Sequence, residues 1–223
     1  MADSTVAEPA IAARALTLHG PHGRVYGPLD LDIDRSGVTV LIGPPGLAGT
    51  ALLLTLAGRM RPTSGELTVC GQTRTTDIFA AAAVAGIDGV DEIAGDVTVG
   101  DVLTEQLRWN SPWYRRIRQA DETDLTRVCG PVFGDLPLPA LDRYIDELPE
   151  LDGLLLRVAL ANTARPPLLV VGTLEQVTDN EQRDLLVERL VDLGSAQTVV
   201  AASVNGVPGQ PVQHCQLGAK AGV

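Results

Sequence analysis

Apolar and polar positions change their rhythm several times along this chain. Ala15 to Leu18 and Leu29 to Ile33 alternate apolar with polar residues, which predicts antiparallel strands with one face toward water. Val38 to Ile42 is β-branched and apolar or Thr-bearing throughout, so a buried strand is predicted there. The leucine-rich stretch opened by Thr50 predicts a helix, stopped by the turn from Gly58 to Gly65. Glu66 to Cys70 alternates again. Phe79 to Ile87 is a run of small apolar residues that fits either element, with strand favoured near its end.

From Val97 to about Leu148 the texture is helical. Val99, Val102, Leu103, Gln106 and Leu107 follow a helix period, and Asp101 falls in a first turn, where negative charge is favoured. Leu125 and Val128 mark a weaker helix, and Pro131, Pro137 and Pro139 are expected to break the chain before Ala140 to Leu148. Leu151 to Ala164 predicts a strong helix, Leu168 to Val171 a buried parallel strand, and Asn180 to Leu193 an amphipathic helix ended by Gly194. Thr198 to Ala202 and Val212 to Leu217 complete the strands. Strands alternating with helices predict an α/β fold. The expected division is a flexible lead-in over 1–12, a core from 13–96 and 157–217, an inserted helical subdomain over 97–156, and a tail over 218–223.

Composition narrows the class. A net charge of −11 excludes a nucleic-acid-binding face. No apolar run approaches the roughly 18 residues of a membrane span, and the acidic N-terminus is unlike a signal peptide. Cys70, Cys129 and Cys215 are odd in number and far apart, which fits a cytosolic chain better than a disulfide framework.

The candidate chemistry lies between the Val38–Ile42 strand and the following helix. Gly43, Pro44, Pro45, Gly46, Leu47, Ala48, Gly49, Thr50 and Ala51 form a glycine loop opening a helix, the layout in which backbone N–H groups cradle phosphate. Set against G-x-x-x-x-G-K-[ST], Gly43 is the first glycine, Ala48 takes the second, Gly49 stands in the lysine position and Thr50 keeps the hydroxyl. Lys220 is the only lysine in the chain, so no other lysine of the domain can replace it. The loop reads either as a tight turn or as a weak anion site, and Thr50 as a helix N-cap or a metal ligand.

With these pieces in order, the sequence resembles the nucleotide-binding domain of ATP-binding cassette (ABC) transporters over about residues 14 to 217. The resemblance is carried by the glycine loop and by Arg61-Pro62-Thr63-Ser64-Gly65-Glu66-Leu67. It is carried also by Arg157-Val158-Ala159-Leu160-Ala161 leading into Leu168 to Val171, and by the Thr198 strand. It implies a P-loop NTPase fold with a RecA-like mixed or parallel sheet, N-terminal antiparallel strands and a helical subdomain facing a transmembrane subunit. It also implies ATP or ADP with Mg²⁺ as ligand, and pairing with a second nucleotide-binding domain.

The family's working residues map onto unlike ones. The signature positions are Glu150-Leu151-Asp152-Gly153-Leu154, with Leu151 in place of the serine. The metal-holding carboxylate is replaced by Gly172, the catalytic glutamate by Thr173 and the switch histidine by Val204. The sensor glutamine expected near Gly89 is missing, while Asp179 matches the retained D-loop aspartate. Glu175 lies two residues past the catalytic position. Phosphoryl transfer depends on positioning and charge neutralisation by Lys, Mg²⁺ and a polarising base, so no hydrolysis by this chain alone is expected.

Against the acidic background stands Arg108, Trp109, Trp113, Tyr114, Arg115 and Arg116, a segment rich in the residue types of binding hot spots. It reads as an ordinary loop or as a docking surface for a membrane partner. Two functions stay open. One is a non-hydrolysing structural or regulatory subunit on the inner face of a membrane; the other is a weak ATPase completed in trans.

Overall fold

The computed structural model describes residues 8–109, 111, 112, 114 and 118–217. Its first half contains β1 (Ile11–Gly20), β2 (Gly23–Ile33), β3 (Gly37–Ile42), α1 (Leu47–Leu56), β4 (Ser64–Val69), α2 (Thr75–Ala81) and β5 (Ala82–Ala85). There follow α3 (Val99–Trp109), α4 (Glu122–Phe133), α5 (Glu150–Ala161), β6 (Leu168–Thr173), α6 (Asn180–Gly194), β7 (Thr198–Ser203) and β8 (Gln213–Gln216).

The alternating strands make a three-stranded antiparallel sheet of order β2-β1-β4. The apolar strands make a five-stranded sheet of order β5-β6-β7-β3-β8, parallel in every pair. Each element follows its period: one-faced strands alternate, and strands covered on both sides are apolar throughout.

The parallel sheet divides two cores by the alternation of its side chains. Val38, Val40, Ile42, Leu169, Val171, Val199 and Ala201 join α4, α5 and α6 on one side. Leu41, Leu168, Val170 and Val200 face α1 and the antiparallel sheet on the other. α1 lies in that second core, with Ala51, Leu52, Leu53, Thr55 and Leu56 buried, and Tyr26 reaches across to donate a hydrogen bond to Thr55 Oγ1 at 2.7 Å. Tyr26 is therefore a core residue.

The Phe79–Ile87 run, expected to fit either element with strand favoured near its end, is the end of α2 followed by β5. Three expectations are corrected. Ala10 is buried and Ile11 opens β1, so Ile11 and Ala12 belong to the antiparallel sheet rather than to a lead-in. Pro131 lies inside α4 instead of ending it, because Cys129, Val132 and Phe133 are buried around it and hold the last turn. Most of 134–149 is irregular, with one short turn at Ile145–Glu147. Its backbone pairs instead with 97–100, through Val99 N–H to Arg143 O at 3.0 Å and Gly100 N–H to Leu141 O at 2.8 Å. Among the described residues no helix is long and apolar enough to cross a membrane.

Candidate functional site

The carboxyl ends of the parallel strands come together in a cleft, the usual ligand-binding edge of an open α/β sheet. Its wall includes Gly43, Pro44, Pro45, Gly46, Gly49 and Thr50 from the glycine loop. Opposite stand Gly86, Ile87 and Asp88 after β5, Gly172 and Thr173 at the end of β6 with Gln176 beyond it, and Ser203 and Val204 at and just past the end of β7. The fold thus gathers the positions that the sequence marks as substituted: Gly49, Gly172, Thr173 and Val204. The cleft volume is 160 Å³, below the roughly 300 Å³ at which small-molecule pockets begin.

Gly46 turns the loop with φ of 130°, a conformation open to glycine, and caps α1 without any side-chain bond. Helix α1 begins at Leu47, so Thr50 sits within its first turn and is not the N-cap. Of the remaining candidates, Leu47 is 72% exposed and Ala51 is buried in the second core; neither lines the cleft.

Opposite the loop, two polar networks hold the strand ends. In the first, Arg157 of α5 donates to Asp91 Oδ2 through Nε at 3.0 Å and to Oδ1 through Nη2 at 2.7 Å. The same carboxylate accepts the amides of Gly86 at 2.7 Å and Ile87 at 2.8 Å. Gln176 Nε2 donates to Gly86 O at 2.7 Å and to Thr173 O at 3.0 Å, while its Oε1 accepts from Arg157 at 3.3 Å. In the second, Glu175 Oε1 accepts from Ser203 Oγ at 2.7 Å and from the Val204 amide at 2.8 Å, and Oε2 accepts from the Thr173 hydroxyl. Desolvation pushes the Glu175 carboxyl up, but these donors outweigh it and hold it below its ordinary value.

At the start of α5, Leu151 is 6% exposed and packs in the first core, so the side chain in the signature serine position faces inward. Burial pushes the neighbouring Asp152 carboxyl up. Glu150 accepts from the Thr178 amide at 2.7 Å and hydroxyl at 2.8 Å, and Asp179 caps α6 by accepting from the Gln182 amide at 2.9 Å.

In the expected docking segment, Trp109 is 78% and Tyr114 75% exposed, and Trp109 Nε1 donates to Glu105 at 3.4 Å. Arg108 shares a groove with Asp101, Thr104, Glu105, Ser111 and Gln119. Trp113, Arg115 and Arg116 lie outside the described residues.

Known proteins resemble the chain in part of its sequence and in its fold. The chain is 37% identical over 67 residues to the cytochrome c biogenesis ATP-binding export protein CcmA of Xanthomonas campestris, a stretch covering 30% of this chain and 31% of that protein. It is 27% identical over 130 residues to the ribose import ATP-binding protein RbsA 2 of Rhizobium etli, covering 55% and 26%. Each match thus spans less than a third of its relative's length. In structure it is similar to an ABC transporter ATP-binding protein from Pyrococcus furiosus, with a TM-score of 0.70 and 16% identity over 93% of this chain and 96% of that one. The chain shares the fold of ABC ATP-binding domains. A further ABC structure, a dimeric ATP-binding cassette in a post-hydrolysis state with ADP and phosphate, has a TM-score of 0.67 and 13% identity, with 87% and 88% covered. No family model matches the chain.

Sequence reasoning on this ABC-type domain passed over Asp88, Asp91, Gln176 and Ser203. Arg157 is legible as part of the R-V-A-L-A helix, but its partner Asp91 lies 66 positions away, and no local pattern links the two.

Proposed function

We propose that this chain is a non-hydrolysing nucleotide-binding-domain subunit, a structural or regulatory component of an ABC-type membrane complex. The observation that carries this reading is the cleft lining, in which, among the described residues, no Lys or Arg is present and Asp88 is the one ionisable side chain. Gly49 and Gly172 line it where ABC ATPases carry the phosphate lysine and the metal carboxylate. Thr173 and Val204 line it where those enzymes carry the glutamate and histidine. Without groups to neutralise the transferring phosphoryl or polarise water, its barrier is left close to that in solution.

In this reading residues 97–156 form the partner-facing subdomain, with Arg108, Trp109, Trp113, Tyr114, Arg115 and Arg116 toward a transmembrane subunit. The chain sits on the cytoplasmic face of the membrane and pairs with itself or with another nucleotide-binding domain. Any ATP or ADP is held weakly at the glycine loop. The direct test is phosphate release from Mg·ATP by the purified chain, expected at the buffer rate. Turnover above about 0.1 s⁻¹, a tenth of the low end for ordinary enzymes, overturns the proposal.

One observation favours a second reading, an ATPase completed in trans. A side chain built on Gly49 meets nothing within 4 Å, so a cation from another subunit has room beside the loop. In that case release appears only after the membrane partner is added.

A further inference from the structure

The resemblance implies Mg²⁺ in this cleft, held through a carboxylate at the Gly172 position. The backbone there does not fit it. Gly86, just past β5, and Gly172, near the end of β6, follow the paired residues Ala85 and Val171. A Cβ on Gly172 would overlap the Gly86 carbonyl oxygen, standing 2.7 Å from the carbonyl carbon and 2.9 Å from Gln176 Nε2. A Cβ on Gly86, whose φ is 67°, would stand 2.5 Å from Leu154 Cδ1. Gly172 has no room for a side chain unless the Gly86 backbone moves, and the positive φ of Gly86 disfavours one there, so the missing carboxylate is excluded by backbone spacing and not only by the residue type.

The closure is fastened from both flanks by the network already described. Gln176 holds the Gly86 carbonyl, Asp91 holds the Gly86 and Ile87 amides, and Arg157 grips both Asp91 oxygens and Gln176. The Asp91 and Arg157 side chains are only 22% and 16% exposed, so this pair is better sheltered from water than a surface salt bridge. Two more carboxylates lie near the cleft: Glu175 has both oxygens committed to Thr173, Ser203 and Val204, and Asp88 is the one acid among the described lining residues. Among the described residues no group of three His, Cys, Asp or Glu side chains is placed to hold a metal ion.

The geometry points to a latch: Gly86 and Gln176 line the metal half of the cleft, and with Asp91 and Arg157 behind them they bond the ends of β5 and β6 to α5 as one unit. The phosphate half differs, since Gly49 faces open space. A nucleotide offered to this cleft is therefore met without a divalent cation, and replacing Gly172 by aspartate does not rebuild a metal site. This inference rests on reading the cleft as an ABC-type site.

The experiment uses the full chain carrying Gly49→Lys, Gly172→Ala, or Gly49→Lys with Gly172→Asp. Thermal midpoints and binding of a fluorescent ATP analogue are measured in Mg²⁺ and in EDTA. Gly49→Lys is expected to keep the wild-type midpoint within about 2 °C, and Gly172→Ala to lose about 4 °C or more or fail to fold. Analogue affinity is expected to agree within about twofold with and without Mg²⁺ in both lysine variants, because one has no carboxylate at residue 172 and in the other the crowded backbone keeps the aspartate from presenting its oxygens to a metal. A wild-type midpoint for Gly172→Ala overturns the latch. So does binding roughly tenfold tighter in Mg²⁺ for Gly49→Lys with Gly172→Asp, about 1.4 kcal/mol. If the aspartate variant does not fold or the analogue does not bind, the Gly172→Ala midpoint decides. ATP hydrolysis by the wild-type chain would sink the non-hydrolysing reading and leave that midpoint comparison intact.

Discussion

Glu175 lies half-buried just past β6, where desolvation opposes its charge and the Thr173 hydroxyl, the Ser203 hydroxyl and the Val204 amide favour it. The donors prevail, so its folded-state pKa is below the unfolded value of about 4.3. Its contribution to stability is then fully present above that value and is lost as pH falls through the lower, folded-state value. Glu175→Gln keeps the shape, loses the charge and leaves the Thr173 hydroxyl facing an amide. The variant is expected to melt below wild type at pH 7, with a gap that narrows below about pH 4. Melting curves from pH 7 to pH 3 check this, and a gap constant across the range contradicts it. Sequence alone makes Glu175 look like a stray acid, because its three donors come from two different strand ends. Gly49, Gly172, Thr173 and Val204 are legible from the sequence, since each is defined by its distance from a motif. Arg157 with Asp91 is not, because the fold creates that pair.

At the scale of elements, periodicity locates the strands of the parallel sheet and helices α3, α5 and α6 to within a few residues. It fails where local preference and tertiary packing disagree. Pro131 is an expected breaker, yet α4 continues to Phe133 because Phe133 and Cys129 are buried in the first core. Burial also pushes the Cys129 thiol up to about 12, which keeps it protonated and inert. The start of α4 is set by a capping box: Asp121 accepts from the Thr123 amide at 3.0 Å and the Asp124 amide at 3.1 Å, and Asp124 reciprocates on the Asp121 amide. Asp124 is further held by Arg118 at 2.8 Å and Arg127 at 2.6 Å. Asp121→Ala removes the cap and is expected to cost about 1 kcal/mol, read as a fall of roughly 2–4 °C in Tm. An unchanged midpoint would show that the core contacts of α4 fix its start without the cap.

At the scale of the whole molecule, charge and cleft point the same way. The chain carries 28 acids against 17 Lys and Arg, and among the described residues the cleft lining includes Asp88 and no cation to offset it. The favourable groups left for a triphosphate are the loop amides and the dipole of α1, worth less than a lysine and confined to the first turn. In an intact phosphate loop, added salt screens an attraction and weakens binding. Here the net field around the ligand is repulsive, and salt screens the repulsion instead. Raising ionic strength from about 20 to about 300 mM shortens the Debye length from roughly 20 Å to below 8 Å, removing most long-range repulsion while leaving the short amide contacts in place. The rise in Tm produced by millimolar ATP in EDTA is therefore expected to be small at low salt and equal or larger at high salt. Comparing ATP against no nucleotide at each ionic strength cancels the effect of salt on the fold itself. A rise that shrinks as salt is added would mean that positive charge reaches the cleft after all, and would give the loop a phosphate-binding role that its own side chains do not supply.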